Sequence, residues 1–119
     1  MSDQLELEKG CIFFDAEEYF EAHEVWEGLW KGATHERRWF LQGMIQLAVA
    51  IYHAANGNLV GSRQLLRSGM SYLEKGRKAC EWIDLDALLE RSRAFEKAVH
   101  AREAGKPVSL PFFKLPVKR

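Results

Sequence analysis

Apolar positions recur at helical spacing in four blocks, each bounded by turn or capping residues. The first block opens at Asp15, which can cap a helix as Glu18 reaches back in a capping box. Phe14 before that cap and Tyr19 after it fit a hydrophobic staple. This helix is expected to run to Trp30 or Lys31 and stop at Gly32. The second block, about His35 to Ala55, follows Thr34 as N-cap and is apolar around most of its circumference, as in a buried helix. Gly57 suits a left-handed stop, and a third helix is expected near Leu59 to Arg77. Its Gly61, Gly69 and Gly76 weaken it in isolation but let another helix come close. Asp84 caps a fourth, near Leu85 to Glu103, with Leu85, Leu88, Ser92, Phe95 and Val99 on one seam.

The two ends are patterned differently. Residues 1–12 read as a short turn or an N-terminal arm, broken at Gly10. Residues 106–119 hold Pro107, Pro111 and Pro116 among six apolar residues, so they read as an extended segment lying on the helices, with the last three residues loose. The expected fold is all-α: a single domain over 1–119, a compact bundle of four to five helices with a Pro-rich tail packed on it.

One feature does not fit a plain core. At 100° per residue, His23 and Glu27 fall inside the apolar arc of the first helix, with Tyr19, Trp30, Ala16 and Phe20. Glu24 lies at its margin. On the second helix His35, Trp39, Gln42, Gln46, Val49 and His53 follow one line. A buried carboxylate without a partner costs several kcal/mol, so these two rows are expected to face one another. Gln42, Gln46 and His53 would then pair with His23 and Glu27. Arg37 or Arg38 would close a bidentate pair with Glu24 or Glu27.

Charge changes the picture only in its distribution. The formal net charge is zero, but residues 1–36 hold ten acids against two bases, a net of −8, and the rest of the chain carries +8. Complementary subunit surfaces, hence a homo-oligomer, are one consequence; acidic and basic helices packed within one fold are the other. The basic residues are spread over several helices, which argues against nucleic acid as a partner. No apolar run is long enough for a membrane span, and the acidic start is unlike a signal peptide. Cys11 and Cys80 have no C-x-x-C spacing and read as reduced thiols, which places the chain in the cytoplasm.

The run Phe20-Glu21-Ala22-His23-Glu24-Val25-Trp26-Glu27, with Leu29-Trp30, then Phe40 through Ala50, Tyr52-His53 and Gly57-Asn58, resembles the DUF309 family over about residues 12–75. These are small all-α prokaryotic proteins of unknown function. The resemblance implies a compact helical fold and no particular reaction. The polar positions matching its motif are His23, Glu24, Glu27, Gln42, Gln46 and His53.

Three uses of this cluster follow from its chemistry. The preferred one is a closed polar network of His23, Glu24, Glu27, Arg38, Gln42, Gln46 and His53 that fixes the register of two helices in an interaction or scaffolding module. An alternative is a small-molecule or hydrolytic site, with Glu24 or Glu27 as base, His23 or His53 as acid, and Trp26, Trp30 and Trp39 as an aromatic wall. The third is a metal site on His23 and Glu27 with His53 or Glu24 added, although H-E-x-x-H and paired Glu-x-x-His motifs are both missing from the sequence. No cofactor is implied, and no catalytic residue can be named.

Overall fold

A computed structural model describes residues 2–118. Among these residues five α-helices follow one another: α1 (Ser2–Asp15), α2 (Tyr19–Trp30), α3 (His35–Ala55), α4 (Leu59–Lys75) and α5 (Leu85–Glu103), with a 3₁₀ turn (Arg77–Ala79) before α5. No strand is found among the described residues; one isolated bridge joins Ile83 to Val117. No described helix is long and apolar enough to cross a membrane.

The expected N-terminal arm is instead a helix of 14 residues; Met1 lies outside the described residues. Leu7, Gly10, Cys11 and Phe14 are all buried, and their 3-1-3 spacing is one helical stripe. Gly10 does not break the helix. It lets α2 approach: a Cβ there would overlap the Trp26 indole. The indole Nε1 donates to the Leu7 carbonyl at 3.2 Å, and the Phe14 and Trp26 ring centroids are 6.2 Å apart.

The α1–α2 junction departs from the sequence expectation for the same reason. Asp15 ends α1 rather than capping α2. Glu17 takes a left-handed φ of 63°, while Glu17 N–H donates to Phe14 O at 2.9 Å and Glu18 N–H to Phe13 O at 2.8 Å. This is a Schellman close with a glutamate where glycine is usual. Phe14 and Tyr19 do meet, ring edge to face at 5.1 Å, but across a helix–turn–helix rather than as a staple. The Asp15 carboxylate accepts instead from Leu115 N–H at 2.8 Å.

From α3 onward the helix ends fall near where the local signals put them, although the Thr34 side chain makes no capping hydrogen bond. Gly57 closes α3 with a φ of 86°, and Asp84 Oδ1 accepts from Ala87 N–H at 3.0 Å to cap α5. The most extensive helix contact is α3 on α4. It is close because of small residues: a Cβ on Gly43 would stand 2.8 Å from the Leu73 nitrogen and 2.9 Å from the Gly69 oxygen. Arg63–Glu103 at 2.7 Å and Arg67–Glu96 at 2.8 Å bridge α4 to α5.

The tail is the extended strap expected. Phe113 packs on Phe14 and Phe95, Phe112 stacks on Tyr19, and Leu115 is buried. Its end is tied down rather than loose. Pro116 O accepts from Asp84 N–H, and Lys118 N–H donates to Trp82 O, both at 2.8 Å. Of the three residues expected to be loose, Arg119 lies outside the described residues.

Candidate functional site

α2 and α3 run antiparallel. Phe20 meets Tyr52 at one end, with ring centroids 5.8 Å apart, and Trp30 lies under Arg38 at the other. Members of both rows marked out by the sequence border this seam, but the seam is open. Tyr19, Ala22 and Trp26 are the buried positions of α2. Glu24 and Glu27 are exposed, and His23 is half-buried. The cause is α1, which packs on α2 and turns the core direction toward Ala22 and Trp26. That rotation carries Glu27 out to solvent.

The closed network is therefore not formed. His23 and His53 make no hydrogen bond to Glu24, Glu27, Gln42 or Gln46 among the described residues. His23 Nδ1 lies 2.7 Å from the Phe20 carbonyl. A carbonyl can only accept, so Nδ1 is the donor in this contact. Arg38 pairs with neither glutamate. Its Nη1 donates to Trp30 O at 3.1 Å and Ala33 O at 3.2 Å, and its guanidinium carbon sits 3.8 Å from the Trp30 ring centroid. It thereby caps the last carbonyl of α2 and holds one in the turn that follows. Arg37 reaches Asp3 at 3.7 Å. Gln46 turns toward α4, where a Cβ on Gly69 would stand 3.3 Å from its Cβ. Its Oε1 is buried without a hydrogen-bond partner.

Two hollows do form along the seam. One, of about 150 Å³, is lined by Phe20, His23, Val49, Tyr52 and His53. The other, of about 220 Å³, is lined by Trp30, Arg38, Trp39, Gln42 and Tyr72. The structure thus brings His23 to His53, and Trp30 to Trp39, Arg38 and Gln42. It does not bring Glu24 or Glu27 into either hollow. Trp26 is no part of an aromatic wall, because it is the core residue against α1.

Phe20 and Val49 belong to the two rows that the sequence marks out, whereas Tyr52 and Tyr72 line these hollows from outside them. A signal for Tyr52 lies in its place three residues after Val49, on the same side of α3. Among the described residues, no three His, Cys, Asp or Glu side chains are grouped so as to hold a metal ion. The thiols do not supply a nucleophile. Burial pushes the Cys11 thiol far above its usual value, with Asp15 and Glu8 adding to the shift, and burial raises Cys80 as well. The reactive form is the thiolate.

Residues 7–65 match the family described as Domain of unknown function (DUF309). The chain belongs to the DUF309 family. The matched span begins inside α1 and ends inside α4, so it takes in the whole α2–α3 seam of this DUF309 chain. The chain is also similar to an uncharacterized protein, YpuF, of Bacillus subtilis (strain 168), with 33% identity over 102 residues. That alignment covers 83% of this chain and 59% of YpuF, so the chain spans less than two thirds of that relative's length. No solved structure matches.

An expected result arises here. Glu27→Ala should change stability by about 0.5 kcal/mol or less, as is usual for an exposed side chain without a partner. Urea denaturation of the variant checks this. A loss of about 2 kcal/mol would mean that Glu27 is buried and paired after all.

Proposed function

We propose that this DUF309 chain is an interaction module whose α2–α3 face binds another protein. The observation that carries this reading is the exposure of three large aromatic residues along one helix pair: Phe20 at 47%, Trp39 at 41% and Tyr52 at 40%. Phe20 and Tyr52 meet at one end of the pair and Trp39 stands at the other; exposed aromatic surface at both ends of one face fits a contact site. Aromatic side chains also dominate interface energetics.

Along the seam itself, the hollow volumes favour the same reading over a small-molecule site; larger hollows, of about 400 and 500 Å³, lie at the α2–α3 turn and between α1 and the strap. At about 150 and 220 Å³, both fall below the roughly 300 Å³ at which ligand pockets begin. Each is the size of one anchoring side chain. Acid–base chemistry finds little support, since Glu24 and Glu27 stand in solvent and hydrogen-bond to neither histidine.

Photo-crosslinking in the native cell tests the reading. A benzophenone amino acid replaces Tyr52 in one strain and Ala94, exposed on α5, in another. A discrete heavier adduct should form from position 52 and not from position 94. Equal adduct patterns from both positions, or an adduct at the mass of two copies of this chain, would overturn binding of another protein through this face.

A further inference from the structure

The two hollows stand in a fixed relation to each other. Their α3 walls are Arg38, Trp39 and Gln42 in one and Val49, Tyr52 and His53 in the other. At 100° per residue these six positions share one side of α3. Counted along α2 and α3 at 1.5 Å per residue, the hollows are about 15 Å apart, close to three helical turns. On α2, Glu24 and Glu27 lie in sequence between the walls of the first hollow, Phe20 and His23, and that of the second, Trp30. At 100° per residue Glu27 points the same way as Phe20 and His23, with Glu24 beside it. Both carboxylates are exposed, and neither has an ion-pair partner among the described residues.

Taking the α2–α3 face as the docking surface, we infer that its occupant is a basic amphipathic helix from another protein. Its two anchors lie about three turns apart, at i and i+11, and Lys or Arg stands between them. Each part follows from the face itself. The hollow of Phe20, His23, Val49, Tyr52 and His53 is walled by four rings and a valine, so it takes an aliphatic side chain. The hollow of Trp30, Arg38, Trp39, Gln42 and Tyr72 is aromatic with polar tips, so it takes a longer side chain. A straight seam between two helices accepts a third helix laid along it, whose anchors recur on one stripe. Opposite charge between the anchors selects a basic partner over an acidic one. It also disfavours a second copy of this chain, whose matching face would bring Glu24 and Glu27 against like charges.

Synthetic helical peptides of about eighteen residues test this directly. All carry leucine at the first anchor and methionine at the second. One has the anchors at i and i+11 with lysines between, one has glutamates in place of the lysines, and one keeps the lysines but moves the second anchor to i+9, on the opposite side of the helix. Fluorescence anisotropy reads their binding. The i+11 lysine peptide should bind at least about tenfold more tightly than the other two, a difference of about 1.4 kcal/mol. The double variant Glu24→Lys/Glu27→Lys should reverse the order of the lysine and glutamate peptides. Both substitutions are at exposed positions, and circular dichroism verifies that the variant is folded. Equal binding of all three peptides, or binding unchanged by the double variant, would overturn the inference. Should Tyr52 crosslink to another protein in cells while the i+11 lysine peptide does not bind, the docking face stands and the basic helix falls. Self-association of the purified chain that Phe20→Ser abolishes would assign the face to a second copy and overturn the inference as well.

Discussion

Replacing Trp26 with alanine should destabilise the protein by about 3–5 kcal/mol, the range for deleting a fully buried tryptophan. Three separate contacts end at this side chain. The indole Nε1 holds the Leu7 carbonyl at 3.2 Å, its ring packs near Phe14, and its edge fills the space that Gly10 leaves open. Each of the three reaches α1. The loss should therefore be felt as a weakened α1–α2 contact as well as a cavity. Denaturation by urea gives the stability change, and amide hydrogen exchange gives its location. Amides of α1 should exchange much faster in Trp26→Ala while those of the α3–α4 pair keep most of their protection. A loss below about 1 kcal/mol would contradict the burial of Trp26 against α1.

The second large effect is expected at Gly43. Gly43→Val should cost about 3 kcal/mol, at the upper end for overpacking. The first added carbon alone would stand 2.7 Å from Leu73 Cγ, 2.8 Å from Leu73 N and 2.9 Å from Gly69 O. Two of those atoms are backbone and cannot rotate away, so α3 and α4 must separate. Their contact is the largest in the fold, which is why the cost is high. Gly28 supplies the control. Nothing lies within 4 Å of a Cβ built there, so Gly28→Ala should raise stability by up to about 1 kcal/mol through helix propensity. If the two variants melted alike, close helix approach at Gly43 would not be what the glycine serves.

The difference between the expected and the observed site traces to residues 2–14. Leu7, Gly10, Cys11 and Phe14 carried a legible helical stripe, but Leu5 and Ile12, both strongly exposed, blurred it. Gly10 was read as a breaker, whereas it is a contact glycine. Once α1 is a helix, α2 has a neighbour on a second side, and its buried arc moves. His23 and Glu27 stay on the face where the sequence put them. That face is covered at its Tyr19 edge and open at Glu27 and Phe20.

What the sequence settled by itself was local. Gly57 and Asp84 mark helix ends because caps and left-handed stops are made by a few adjacent residues. The helix spans from His35 onward, the Pro-rich strap and the DUF309 relationship were accordingly legible. What only the tertiary structure decided was direction: which side of α2 faces inward, where Arg38 and Asp15 find partners, and that the α2–α3 seam opens to solvent. A helix carries its periodicity within its own residues, but the side it buries is set by the neighbours that cover it. Some of those neighbours are distant in sequence, as the bond from Leu115 to Asp15 shows.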